Sequence, residues 1–453
     1  MKNEVTMTKT DKYLLWGMVV GLSLMLILRD VSGIYINKFI YFGFAVALMA
    51  IANYQTMVYM ICFILPLVCG LPGTYIMPCA LALLIIKRGK IKLMQFMPLM
   101  IILLLEITAA FWYPSLDVVS IVNYVSFAGV MIFLIQDNHD DLNINYRECI
   151  KLYLVGSLVL CCVIWYATLM DATKNWMQLF AEGQFRFGEV QQEDVGMTLT
   201  LNANSLAYYS LIGIACSFLL MEKVFGGRKT WYIVAGIIFA AIGFLTLSRS
   251  WLLFATVLLL LFIMSKLRNP RQFAILFGML LVVAYGAIVY LNKNPEFVAG
   301  FETRFEDDTV ESGGNRTNIF NKYMEVFLSD FRFMFLGTGV THGNAVAGMS
   351  VSMHNGTQQI LICTGIVGFF IYIVVMFGPV VKIIHVRKAP LVYWLPLLCV
   401  VAFTQTIQFL TPTMLMLPYI IGIYALRAGG QNNENISDNS GHRGRQSLTL
   451  ETR

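Results

Sequence analysis

Residues 231–266 read WYIVAGIIFAAIGFLTLSRSWLLFATVLLLLFIMSK. Two apolar runs, 231–247 and 251–265, flank the tripeptide Ser248-Arg249-Ser250. Each run is close to the length that spans the hydrocarbon of a bilayer as a helix. Backbone N–H and C=O groups in lipid must be satisfied inside the segment itself, so runs of this kind fold as helices rather than as open strands. Three residues between them leave room only for a tight helical hairpin, which holds Arg249 close to the membrane surface.

The same pattern extends along the chain in both directions. Of 453 residues, 58% are hydrophobic and 13% charged, whereas soluble domains average about a quarter charged. Candidate spans fall at 13–28, 35–52, 55–70, 74–86, 93–112, 117–136, 150–170, 205–221, 231–247, 251–265, 273–291, 356–378, 390–408 and 412–426. The expected fold is therefore an all-α polytopic integral membrane protein with about fourteen transmembrane helices. Residues 1–426 form its membrane domain, and 427–453, rich in Asn, Ser, Gly and Gln, form a disordered tail. The polar start Met1 to Lys12 leads into an apolar run without a small-residue cleavage site, so the first helix is expected to remain as an anchor.

Basic residues in short loops favour the cytoplasm. With both termini cytoplasmic, most of the 32 Lys and Arg residues fall inside, in the clusters around Lys9 and Lys12, Lys87 and Arg88, Arg147 and Lys151, Lys223 to Lys229, Lys266 to Arg271, Lys382 to Lys388, and the tail. Arg186, Arg249, Arg304 and Arg316 are left outside against that bias. Two readings fit them: anchors for lipid phosphates at the interface, or ligands of an anionic substrate. Two long extracytoplasmic loops result, 171–204 and 292–355, and the second is expected to carry short amphipathic helices.

In the longer loop an acidic stretch, Glu302 to Glu311, precedes Ser312-Gly313-Gly314-Asn315-Arg316. Ile319, Phe320, Tyr323, Met324, Phe327 and Leu328 then recur at helical spacing, which predicts an amphipathic helix over 318–329. A Gly-rich turn opening a helix presents free N–H groups and the positive end of the dipole, and Arg316 adds a bidentate donor, a combination suited to phosphate. The same residues also read as an ordinary capped loop helix. Arg304, among acids, has an equally simple reading as an ion-pair partner.

Two histidines lie in this loop. His354-Asn355 stands where the chain re-enters the membrane, so His354 is placed to take a proton from a hydroxyl, or to serve as an interfacial or capping residue. His342 lies between Gly339 and Gly348. Glu106, in the span 93–112, is an ionisable residue at membrane depth and so a candidate by default, with no partner evident in sequence. The nine cysteines sit almost entirely in apolar runs without metal-ligand spacing and read as small core residues. The net charge of +6 is dispersed over short connections and is no nucleic-acid footprint. No nucleotide-cradling loop or metal signature lies outside, so a reaction at phosphate there requires a donor that arrives already activated.

At these residues the chain resembles the O-antigen polymerase and O-antigen ligase superfamily of bacterial membrane glycosyltransferases. His354-Asn355, nine residues, Gly365, two residues and Gly368 match that family's H-N-x9-G-x-x-G pattern. Gly314-Asn315-Arg316 with Phe320 resembles its Arg followed four residues on by a large apolar residue. Gly337-Thr338-Gly339 resembles the turn before the histidine, Ser248-Arg249-Ser250 the short Ser-Arg hairpin, and Arg186 through Asn204 the preceding Arg-to-Asn loop. The resemblance implies a GT-C-like architecture in the bacterial cytoplasmic (inner) membrane with the site on the extracytoplasmic face. It implies a metal- and cofactor-independent transfer from an undecaprenyl-pyrophosphate-linked oligosaccharide, in which Arg186, Arg249, Arg316 and Arg304 hold the pyrophosphate and His354 activates the acceptor hydroxyl. Asn204, Gly314, Asn315, Gly339, His342, Asn355, Gly365 and Gly368 would support that site. A chain-length regulator and a flippase of the same pathway are the partners this implies.

Three functions remain distinct at this point. A polymerase transfers the glycan to another lipid-linked repeat, and fourteen helices favour it by analogy. A ligase of the same family transfers it to a lipid core or other acceptor. A flippase for lipid-linked oligosaccharides would show ionisable residues near the midplane and broken helices in symmetric halves, whereas the unusual charges here lie outside the spans.

Overall fold

In the computed structural model the described residues are 7–68, 70–89, 97–111, 118–136, 144–169, 203–221, 229–266, 316–339, 353, 355–387 and 420–427, with scattered positions between 274 and 299. All regular structure among them is helical. In chain order the α-helices are α1 (Lys9–Asp30), α2 (Lys38–Ile51), α3 (Tyr54–Ile64, continued by a 3-10 turn to Leu67), α4 (Gly73–Arg88), α5 (Met97–Ala110), α6 (Val118–Gln136), α7 (Tyr146–Leu169), α8 (Ala203–Met221), α9 (Lys229–Leu245), α10 (Arg249–Lys266), α11 (Arg316–Ser329), α12 (Phe331–Leu336) and α13 (Gly356–Arg387). A further helical segment occupies 420–427. Among the described residues four segments are long and apolar enough to cross a membrane: Lys9–Asp30, Tyr146–Leu169, Ala203–Met221 and Gly356–His385.

These elements coincide closely with the expected spans. The run expected at 273–291 is described only at isolated helical positions, and 390–408 lies outside the described residues. The expected tail past Arg427 also lies outside them, while Arg427 itself is buried at the end of the segment 420–427.

One end of the bundle is tied by polar contacts between helix termini. Asp11, at the start of α1, accepts from the Asn53 side chain at 2.7 Å. Lys87, at the end of α4, donates to the Ala50 carbonyl at 2.8 Å and also to the Ala52 carbonyl, closing the C-terminus of α2. The Asn145 amide donates to the Tyr59 hydroxyl at 2.9 Å, which brings the start of α7 beside α3. Arg427 donates to the Ile135 carbonyl at 3.0 Å and lies over the Tyr146 ring. Lys9, Lys12, Lys87, Arg88, Arg147, Lys151 and Arg427 therefore gather at one end of the bundle. Helix ends leave orphan carbonyls, and long basic side chains satisfy them while keeping their charge near the surface.

The main core is built from α1, α2, α3, α4, α6, α7, α8 and α9, with Met18, Leu22, Tyr41, Phe63, Met77, Leu134, Tyr208 and Phe239 among its buried members. Small residues set the closest helix approaches. A Cβ at Gly156 would lie 2.3 Å from the Phe63 carbonyl oxygen, so α7 meets α3 backbone to backbone there. Helices α8 and α9 run antiparallel: Ser217 faces Gly236, and Ser210 faces Phe239 and Gly243. Continuing that register toward the start of α8 puts Asn204 at the same end as the 246–248 turn.

A second, smaller cluster seats α11 on the first part of α13. It comprises Ile319, Tyr323, Phe327, Met353, Ile362 and Cys363, with Met324, Met334, Leu361 and Ile366 against it. Of the apolar stripe read from the sequence, Ile319, Tyr323, Met324 and Phe327 make this contact, while Phe320 and Leu328 are exposed.

Candidate functional site

The Ser-Arg-Ser hairpin folds as its sequence suggests, and its neighbours explain its rigidity. Helix α9 ends at Leu245 and α10 begins at Arg249. Ser248 caps α10 by accepting the Trp251 amide on its hydroxyl at 3.4 Å, while its carbonyl accepts Leu252 N–H at 3.1 Å. Leu247 takes a left-handed φ of 49° to make the turn. Trp251 is 5% exposed, and its ring covers Gly243, where a Cβ would lie 2.2 Å away. The Trp251 indole N–H donates to the Ser210 hydroxyl at 3.1 Å, and Ser210 donates to the Phe239 carbonyl at 2.6 Å. That relay ties three helices together immediately beside Arg249, which is half-buried in the first turn of α10. Sequence reading did not select Trp251; an indole two residues past the arginine was its available signal.

The second part of the site is a break in α13. Gly365 has φ 65° and ψ −176°, so the helix divides into 356–364 and 366–387. The expected continuous span 356–378 is interrupted there. Splitting the helix leaves carbonyls at the end of its first half without intrahelical donors. The strap 337–339 supplies two: Thr338 N–H donates to Ile362 O and Gly339 N–H to Cys363 O, both at 2.9 Å. Such bonds contribute about 1 kcal/mol each.

The glycines of the H-N-x9-G-x-x-G pattern and of the preceding turn are required by this docking. A Cβ at Gly365 would sit 2.3 Å from Phe335 O, and one at Gly337 would sit 2.3 Å from Cys363 O. Gly337 and Gly339 both have φ 82°. At Gly368 a Cβ would meet the Thr364 side chain at 2.3 Å and Leu105 of α5 at 3.1 Å.

Asn355 opens α13. Its side chain accepts the Gln358 amide at 3.0 Å and its carbonyl accepts Gln359 N–H at 3.0 Å, an N-cap arrangement. Gln358, only 4% exposed, donates its side-chain amide to the Phe320 carbonyl at 2.8 Å and so pins α11 to α13. The sequence reading passed over Gln358. Both ends of the stretch 340–354 are thereby anchored on one half-helix, at Asn355 and at Cys363, about 12 Å apart at 1.5 Å per residue.

Arg316 is the first residue of α11, which begins two residues before the helix expected over 318–329. Burial pushes the Tyr323 hydroxyl on that helix above its usual range, with Cys363 adding to the effect. Asn204 stands half-buried in the first turn of α8, at the hairpin end. The structure therefore brings Asn204 and Arg249 to one end of the α8–α10 unit, and joins Arg316's helix, Gly339, Asn355, Gly365 and Gly368 in a second unit. His354, His342, Arg186, Arg304, Gly314 and Asn315 lie outside the described residues. Among the described residues no three His, Cys, Asp or Glu side chains are grouped to hold a metal ion.

An all-helical apolar bundle with several membrane-length helices has the architecture of a multi-pass membrane protein. Within it, residues 234–373 match the family model described as O-antigen ligase. That segment runs from within α9 to within α13 and includes the hairpin, the strap and the helix break, so the resemblance to the O-antigen polymerase and ligase superfamily holds over it. No curated protein matches the chain.

Proposed function

We propose that this protein is a surface-polysaccharide polymerase of the cytoplasmic membrane. It transfers an undecaprenyl-pyrophosphate-linked glycan to a sugar hydroxyl of a second lipid-linked repeat on the extracytoplasmic face. The observation that supports the transferase part of this reading is the family match over 234–373, which includes the unit formed by the strap, the Gly365 break and the Asn355 cap, and the choice of polymerase over ligase rests on helix number by analogy.

In the proposed reaction His354 takes the proton of the acceptor hydroxyl as its oxygen bonds to the anomeric carbon of the donor. The bond from that carbon to the pyrophosphate oxygen breaks, and the electron pair leaves with the pyrophosphate. Arg316, at the positive end of α11, together with Arg186, Arg249 and Arg304, carries the charge that grows on the leaving group. Arginine suits this role because its planar fork pairs two oxygens at once. The chemistry needs no metal, since the donor is already activated and the guanidinium groups supply the electrostatic stabilisation. The gathering of basic side chains at the opposite end of the bundle supports an outward-facing site.

His354→Ala in the producing cell tests this. Polymer disappears and single lipid-linked repeats accumulate on the outer face. A ligase would instead leave full-length glycan on its lipid carrier, unattached to the final acceptor. Repeats trapped on the cytoplasmic face would refute both transferase readings in favour of a flippase.

A further inference from the structure

Helix α11 carries two apolar rows, and the protein covers only one. Ile319, Tyr323 and Phe327, four residues apart, are buried against α13. The next row round the helix, Phe320, Met324 and Leu328, has the same spacing, yet Phe320 is 40% and Leu328 66% exposed. Residues four apart share a helix face, so this second row is a strip running beside the contact with α13. Asn318, Asn321, Lys322, Glu325 and Ser329 occupy the remaining arc and are exposed. Helix α12 adds a second exposed apolar pair: Phe331 is 70% exposed, and its ring centroid lies 4.4 Å from that of Phe335, itself 37% exposed.

Helix α13 fixes the depth of this surface. Its second half presents Val367, Phe370, Val374, Phe377 and Val381, all exposed, at the three-and-four spacing of one helix face. On a membrane-length helix such a row faces lipid, and Lys382 ends it. At about 1.5 Å per residue, Val381 to Val367 rises about 21 Å, which leaves roughly 9 Å of an about 30 Å hydrocarbon layer beyond Val367. The break at Gly365 falls within that remainder. Phe335 is held at the same level, since a Cβ on Gly365 would sit 2.3 Å from its carbonyl oxygen. Exposed phenylalanines at this depth meet acyl chains rather than water. Irregular backbone is tolerated there only where protein covers it, and the strap that follows α12 complies: Gly337, Thr338 and Gly339 are buried, and the Thr338 and Gly339 amides are bonded to α13.

We propose that α11 and α12 form an interfacial unit, with Phe320, Leu328, Phe331 and Phe335 inserted in the acyl-chain border of the leaflet remote from Lys382 and the polar arc of α11 turned to water. The occupant of this surface is lipid, because the uncovered row lies between a protein-covered face and a polar face, as a helix lying in the interface requires, and because α12 sits at the depth of the lipid-facing row of α13. On the orientation proposed above this is the outer leaflet, where Arg316, at the start of the same helix, stays near the level of lipid phosphates. The lipid contact itself is independent of the transferase reading, since its test involves no turnover.

The photoreactive residue p-benzoylphenylalanine is placed singly at Phe331 or Leu328, and for comparison at Asn321 or Glu325, in the full-length protein. Each variant is irradiated in nanodiscs of phosphatidylethanolamine and phosphatidylglycerol, and lipid adducts are quantified by mass spectrometry of the intact chain. Adducts at Phe331 and Leu328 exceed those at Asn321 and Glu325 roughly tenfold. Two positions on each face keep the comparison decisive if one variant misfolds, which its melting temperature shows. Equal adduct yields on the two faces overturn the proposal. So does crosslinking of Phe331 and Leu328 chiefly to a second copy of the chain, which would make the row a protein interface.

Discussion

Replacing Gly365 by alanine should be among the most damaging single-methyl changes in this protein. The residue's φ of 65° and ψ of −176° lie where L-residues are strongly disfavoured, which costs about 1–3 kcal/mol. The added Cβ would fall 2.3 Å from Phe335 O, 2.4 Å from its carbonyl carbon and 2.6 Å from the Leu336 nitrogen. All three are backbone atoms at the end of α12, so no side chain can swing aside. The structure can relax only by letting residue 365 become helical, which straightens α13 and expels the strap. Two hydrogen bonds, Thr338 to Ile362 and Gly339 to Cys363, are then lost, worth together about 2 kcal/mol. Expelling the strap relieves the backbone strain, so the two costs are alternatives and the expected loss is about 2 kcal/mol. Gly43 is the internal control, since it is helical in α2 and a Cβ there meets nothing within 4 Å. Gly43→Ala should be neutral or stabilising by about 0.5–1 kcal/mol. The assay is thermal unfolding of the detergent-purified protein, paired with proteolysis across 331–343. If Gly365→Ala melts with Gly43→Ala and shows no new cleavage near the strap, the break is not the strained, docked element described above.

Two other changes probe the same region. Asn355→Ala removes the cap of α13 and should cost about 1 kcal/mol, with Asn355→Asp retaining most of it because its carboxylate also accepts the Gln358 amide; the melting temperatures of the pair check this. Asp330, between α11 and α12, is held below the usual carboxylate range by its hydrogen bonds from Arg332. Its folded-state pKa is depressed, so the stabilisation is present above the unfolded value and is lost as pH falls through the folded one. Asp330→Asn should flatten the acid limb of stability against pH between those two values, and an unchanged limb would remove Asp330 from the account.

Much of the architecture was legible because lipid imposes a simple rule on sequence. A run long enough to cross must satisfy its own backbone, so 146–169, 203–221 and the pair around Ser248-Arg249-Ser250 could only be helices. The amphipathic face of α11 and the Asn355 cap are equally local, since helical spacing and a capping side chain involve neighbours along the chain. The candidate site was less legible. Gly365 and Gly368 could be quoted as a motif, but the apolar run containing them reads as one helix. Its division depends on hydrogen bonds to a strap some two dozen residues earlier.

By itself, then, the sequence determined the all-helical class, most of the helix positions and the amphipathic helix over 318–329. Only the tertiary structure decided that α13 is broken, that Gly337–Gly339 caps its first half, that Trp251 fixes the Arg249 hairpin through Ser210, and that Glu106 rests on Gly339. The physical reason is the same in each case. These contacts join main-chain atoms or buried polar groups distant in sequence, and such pairings leave no periodicity, composition or spacing for a linear reading to detect.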